Sequence, residues 1–370
     1  MSIRIVAAIA AAITLFTASA RADTPFPAAE EAAIVQLIEA GMTAQRQPGL
    51  IVGISIPGRG EFTRAFGVGD IATKAPMKPE DHVRIASITK SFVAVAALRL
   101  VDQGKLKLDD TLATWITGIP NGDKITIRDL LGMRSGIYDF TSDRQFLADF
   151  TADPLMTFSP QDVVAIVNRH EPDFAPGEKV AYCDTNYIFL GMIIEKVTRK
   201  PVEDVIREEI IAPLKLADTS FPTASTMPEP FARGYYAGED GKGAPRDFTA
   251  SNPAVAWSAG AMISTLDDLR IWSKALATGA LLKPQTHAEQ MKFGAIATKP
   301  IHVGYGLGIA DFGGLIGHNG AIFGYTTAMF YVAAADATIV IEGNLASNFS
   351  NSATDIAYAL AKRLMPDLIE

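Results

Sequence analysis

A serine and a lysine three residues apart, Ser87 and Lys90, stand at the start of a strongly apolar stretch that runs to Gly104. Three-residue spacing on a helix puts both side chains on one face. There the hydroxyl is a potential nucleophile, the amine a potential proton acceptor, and the amide at the helix start a donor to a developing oxyanion. The ordinary role of a serine at such a place is to cap the helix. A capping box, however, has Glu or Gln where Lys90 stands, and the helix dipole favours anions at that end. A cation there costs stability, so something other than helix formation selected it. Burial on the apolar helix would disfavour the ammonium form and leave a lysine able to take the serine proton.

Two later segments carry related chemistry. The first is a Pro176-Gly177 turn leading to Tyr182-Cys183-Asp184-Thr185-Asn186-Tyr187 and then an apolar helical stretch, 188–197. The second is Gly317-His318-Asn319-Gly320-Ala321, flanked by apolar strand sequence, where glycine lets a backbone come close to a ligand. In this order Ser87-Ile88-Thr89-Lys90, Tyr182-Cys183-Asp184 and His318-Asn319-Gly320 resemble the three motifs of the penicillin-recognising serine hydrolases. The similarity is to the branch of class C β-lactamases, serine D-alanyl-D-alanine carboxypeptidases and related esterases. Leu130 to Gly136, Ser258 to Thr265 and Tyr305 to Gly308 extend it, so that it spans about residues 51–346.

The resemblance implies that Ser87 attacks a carbonyl to form an acyl-enzyme that water hydrolyses, with Lys90 and Tyr182 sharing the proton traffic. It places Asp184, His318 and Gly320 at the substrate, and pairs the Ala321 N–H with that of Ser87 as an oxyanion hole. Asp184 stands where many relatives have Asn; a carboxylate only accepts and would keep Lys90 protonated, which moves the base role toward Tyr182. A flanking lysine would favour the tyrosine phenolate. His318, in place of a lysine, is expected to carry a pH-dependent positive charge. Cys183 reads as a small apolar filler. A carboxypeptidase must grip a free carboxylate, yet no Lys or Arg falls between Lys299 and Lys362, which leaves His318 and Lys90, with Arg233 able to reach in.

The implied activity is D-alanyl-D-alanine carboxypeptidase-like or β-lactamase-like, on small-molecule or peptide substrates (D-Ala-D-Ala peptides, β-lactams or esters). The alternatives are a small-acyl esterase of the same fold and a non-catalytic binding relative, which three intact motifs argue against. His82, His170, His287 and His302 lack metal-ligand spacing, so no metal and no cofactor is expected. There is no G-x-S-x-G elbow.

These residues need a scaffold of 370 residues with formal net charge −8, a balance that argues against a nucleic-acid surface. Residues 1–22 read as a signal peptide: Arg4, an apolar run from Ile5 to Phe16, then A-x-A sites, too short for a membrane span. The expectation is a periplasmic or secreted protein with no stable membrane anchor. One cysteine allows no internal disulfide. Helical spacing over 30–44, extended patterns over 50–56 and 61–68, a mainly helical middle, strands over 305–309, 326–333 and 338–342, and a helix over 352–364 follow. Strands at both ends imply an α+β fold: one antiparallel sheet from both chain ends flanked by helices, with a helical insertion domain. The α/β lobe is read at about 23–86 and 292–370, the helical lobe at about 87–291. The resemblance implies the β-lactamase/transpeptidase-like version of that fold.

Overall fold

The computed structural model describes residues 24–238, 243–297, 301–346 and 352–370, so the signal peptide read at 1–22 lies outside the described residues. Helix α1 (Ala28–Gln45) leads into a hairpin of β1 (Gly49–Ile56) and β2 (Gly60–Gly67). The middle contributes α2 (Thr89–Asp102), α3 (Asp184–Thr198) and α4 (Leu266–Thr278) among shorter helices. Then follow β3 (Gly294–Ala297), β4 (Val303–Tyr305), β5 (Ala310–Phe312), β6 (Leu315–Ile322), β7 (Tyr325–Val332) and β8 (Ala337–Gly343), and helix α5 (Ser352–Leu364).

These strands form one eight-stranded antiparallel sheet in the order β2-β1-β8-β7-β6-β5-β4-β3. The first hairpin therefore docks on the last strand, in register from Leu50 opposite Gly343 to Ser55 opposite Thr338. Both faces of this seam are apolar, which is why β1 and β8 read as nearly unbroken apolar runs. Leu50, Val52, Ile54, Ile339 and Ile341 pack with Ile34 and Ile38 of α1 and Ile356 and Leu360 of α5. Ile51, Met329 and Val340 face the helices of the insertion. Burying each such side chain contributes about 1.5–3 kcal/mol. Loop-closure cost grows only with the logarithm of loop length, so the long insertion between the paired strands is tolerated.

Helix α2 runs through the middle of the insertion, with Phe92 to Leu98 all buried. Phe92 stacks on Trp272 of α4 at 4.3 Å, and the Trp272 indole N–H donates to Ser91 at 2.8 Å. Of the stretch expected as a strand over 305–309 only Tyr305 is extended, as the last residue of β4; residues 306–309 are the turn between β4 and β5, with the Gly306 N–H donating to the Ile309 carbonyl at 2.8 Å. Gly308 explains it: its φ is +73°, and an added Cβ would lie 2.1 Å from the Ala94 Cβ of α2.

Glu342 on β8 is fully buried, and among the described residues neither carboxyl oxygen has a hydrogen-bond partner. Burial pushes its pKa well above the ordinary glutamate value, so the fold holds it uncharged. A raised acid pKa means that stability falls as pH rises above the ordinary value, because the unfolded chain ionises there and the native state does not. Glu342→Met is therefore expected to stabilise the protein by about 1–3 kcal/mol, more at pH 8 than at pH 5. Thermal melts of both proteins at both pH values check this; a variant that melts below the wild-type protein at pH 8 would contradict it.

Candidate active site

Ser87 lies in a 3₁₀ turn, Ala86–Ile88, directly ahead of α2. Its side chain caps nothing, and Ala86 has φ +50°, a left-handed value that costs a non-glycine residue about 1–2 kcal/mol. Neighbouring elements hold the turn there. The Ile85 N–H donates to the Met262 carbonyl at 2.9 Å, Thr327 Oγ1 donates to the Ile85 carbonyl at 3.0 Å, and Thr89 Oγ1 accepts from the Met262 N–H at 3.1 Å. Strand β6 approaches so closely that a Cβ on Gly320 would lie 2.4 Å from the Ile85 carbonyl oxygen and 2.9 Å from the Ala86 Cβ. Only glycine fits.

Lys90, one turn into α2, has a fully buried side chain whose three protons go to three acceptors. They are Ser87 Oγ at 3.0 Å, Asp184 Oδ1 at 2.6 Å and the Ala259 carbonyl at 2.7 Å. Asp184 is the first residue of α3, where a negative charge suits the dipole. Burial alone would lower the Lys90 pKa, but Asp184 and Tyr182 outweigh it and hold the pKa above the ordinary lysine range. Lys90 is thus a fixed cation, and the expectation that burial makes it a base is corrected. The expectation that Asp184 keeps it charged describes the geometry.

Tyr182 sits at the cavity mouth, 39% exposed, with its hydroxyl interacting with Ser87 and Lys90. Desolvation of that hydroxyl pushes its pKa up to about 12 against the pull of Lys90. The resting tyrosine is therefore neutral, not the phenolate that a flanking lysine suggested. Cys183 is buried, donates to the Ile137 carbonyl, and has its thiol pKa pushed well up by burial. It is a filler.

His318 departs furthest from expectation. On β6 it is 1% exposed, and its Nδ1 lies 2.6 Å from the Asn319 carbonyl, which can only accept. Nδ1 therefore carries the proton, and Nε2 accepts from the Tyr305 hydroxyl at 3.0 Å. Burial lowers its pKa to about 3, helped by the nearby Lys90 charge, so it is neutral where a pH-dependent cation was expected. A histidine held neutral loses native stability as pH falls from its ordinary 6.5 toward 3, since only the unfolded chain takes up the proton there. His318→Asn should flatten that part of the stability curve, as measured by urea denaturation between pH 7 and 4. An unchanged slope would show that His318 does titrate in the fold.

Ser87, Tyr182, Asp184, Gly320 and Ala321 all line one cavity of about 420 Å³. Its far wall is aromatic, built by Phe140, Phe146, Phe150 and Phe323. His318 is not in the wall. Arg233 stays outside as well, paired with Asp247 at 2.8 Å and Asp70 at 3.4 Å. Two charged wall residues were not singled out from the sequence. Arg84, 1% exposed, turns Nη2 onto the carbonyls of Ser225, Thr249 and Ser251 at 3.1–3.3 Å. Asp139 follows the Ser135-Gly136 pair of the Leu130 to Gly136 stretch, the one signal that could have drawn attention to it.

A strained serine turn, a buried lysine, a tyrosine and a glycine strand edge on this sheet define a penicillin-recognising serine hydrolase. Residues 34–363 match the family model described as Beta-lactamase, and the chain belongs to that family, with its β-lactamase/transpeptidase-like fold. It is similar to a D-stereospecific amidohydrolase from Streptomyces sp., 33% identical, TM-score 0.80, covering 89% of this chain and 97% of that one. It is similar also to the D-amino acid amidase of Ochrobactrum anthropi SV3 complexed with L-phenylalanine amide, 27% identical, TM-score 0.78, covering 91% and 99%. A D-aminopeptidase of Brucella canis is 27% identical over 319 residues, covering 83% of this chain. The chain spans 58% of the length of that relative. Among the described residues no helix is long and apolar enough to cross a membrane.

Proposed function

We propose that this chain hydrolyses amide or ester bonds at the carbonyl of D-amino acid residues, releasing the acyl group through an ester on Ser87. The observation that carries the choice is that no exposed cation is left to grip a free carboxylate. Among the described residues, Lys90 is spent on Asp184, His318 behind the wall is neutral, and Arg84, whose Nε and Nη1 have no partner, is 1% exposed with Nη2 on backbone carbonyls. A carboxypeptidase acting on D-Ala-D-Ala ends would have to hold a free carboxylate there; an amidase or aminopeptidase need not. The names of the similar proteins point the same way. The apolar wall suits a bulky acyl side chain.

In this reading the neutral Tyr182 is a relay and not a standing base. As Ser87 Oγ attacks, its proton passes to Tyr182 Oη while the tyrosine's own proton goes to the leaving nitrogen, so the amine departs neutral. Lys90 stays charged and stabilises the negative charge building on Oγ and Oη. The N–H groups of Ser87 and Ala321 receive the oxyanion. Water then attacks the ester, giving a proton to Tyr182 as Tyr182 returns one to Ser87. A periplasmic or secreted location, from the signal peptide read at 1–22, belongs to the same proposal; cell fractionation tests it.

The experiment compares D-phenylalanine amide, L-phenylalanine amide, a peptide ending in D-Ala-D-Ala and labelled penicillin, followed by mass spectrometry. Cleavage of the D-amide ahead of the others supports the reading. Release of D-Ala from the peptide, or penicillin turnover, with the amides intact overturns it.

A further inference from the structure

We propose that Asp139 is the residue that selects a free α-ammonium on the acyl part of the substrate, which rests on the D-amino acid reading above. Asp139 lies in the cavity wall with Ser87, Tyr182, Asp184 and Ala321. Its backbone precedes the 3₁₀ turn Phe140–Ser142, and one carboxyl oxygen accepts from the Thr141 N–H at 3.1 Å. Its carboxylate also takes a hydrogen bond from the Asp184 N–H. These contacts orient the group but do not neutralise it, and among the described residues no Lys, Arg or His comes within ion-pair distance.

Ion pairing in the cavity then leaves Asp139 over. Lys90 is matched by Asp184, His318 is neutral, and Arg84, whose Nη2 reaches backbone carbonyls, forms no ion pair with Asp139 among the described residues. Asp139 faces the substrate space with no counter-cation, beside a second carboxylate. Burial, and then the Asp184 charge, raise its pKa to about 7, and a cation placed beside it would draw it back to the ionised form. An amino acid amide brings one. The substrate's α-carbon would then be fixed by three substituents: the carbonyl at Ser87, the side chain against the aromatic wall, and the ammonium at Asp139. Three fixed points suffice to tell one enantiomer from the other.

The competing reading is that Asp139 only caps its turn. Asp139→Asn keeps an oxygen for the Thr141 N–H and removes the charge, so the test is a selectivity ratio that a cap does not move. The substrates are D-phenylalanine p-nitroanilide and its amine-free counterpart, 3-phenylpropionyl p-nitroanilide. The ratio of their kcat/KM values should fall about 10- to 100-fold in Asp139→Asn, mainly through KM, with D-over-L preference falling as well and partial recovery in Asp139→Glu. If both anilides lose rate together, or the ratio holds, Asp139 is a cap and the inference is overturned. If the wild-type protein cleaves the amine-free anilide alone, or neither, the D-amino acid reading itself fails and takes this inference with it.

Discussion

Ser87→Ala is expected to lower kcat for any amide or ester substrate by about four to six orders of magnitude, the loss typical of removing a catalytic nucleophile. Its Oγ is a cavity atom that a lysine ammonium and a tyrosine hydroxyl both address. The substitution is small in every other respect. Lys90 keeps its bonds to Asp184 and Ala259, and Ser87 caps no helix, so the stability change should stay within about 1 kcal/mol. Intact mass after incubation with a slowly deacylated substrate should show an acyl adduct on the wild-type protein and none on the variant. Turnover that survives in a folded variant would remove Ser87 from the chemistry and with it the acyl-enzyme.

How far the site was legible depends on where each contact lies in the chain. The oddity at Lys90 is local, a cation at the wrong end of a helix, and such conflicts between a segment and its own structure mark functional positions. Its resolution is not local, because the carboxylate that offsets it is 94 positions away at Asp184. The pattern of apolar residues was enough to place the terminal hairpin, β7, β8 and α5, since period and burial agree there. Over 305–309 the same pattern misled, because Gly308 is needed for a turn against α2 and not for extension. His318 was misread for a related reason: a residue type carries its ordinary pKa in sequence, whereas full burial against Tyr305 and its own neighbour's carbonyl removes the charge. Asp139 and the aromatic wall have no spacing that unites them. Phe140, Phe146 and Phe150 come from one stretch, but Phe323 arrives from the end of β6.

The sharpest separation of chemistry from stability comes at Lys90. Lys90→Met removes a fully buried cation and leaves Asp184 without a partner beside Asp139. Breaking one side of a buried ion pair costs about 3–5 kcal/mol, far more than the pair contributes when both partners are present. Rate should fall by about 10³-fold or more, since the charge that steadies Oγ and Oη is gone. The comparison is sound at neutral pH. A lysine pKa raised above its ordinary 10.5 gives stability that is complete below that value and fades only as pH climbs through the folded-state value. Adding Asp184→Asn to Lys90→Met removes the orphaned charge, so the double variant should regain a large part of the lost stability while regaining almost none of the rate. Urea denaturation and kcat/KM on the wild type and the two variants test both halves. Rate recovering along with stability would make Lys90 a structural support for the turn at Ser87, and the proton relay through Tyr182 would then have to run without a fixed cation beside it.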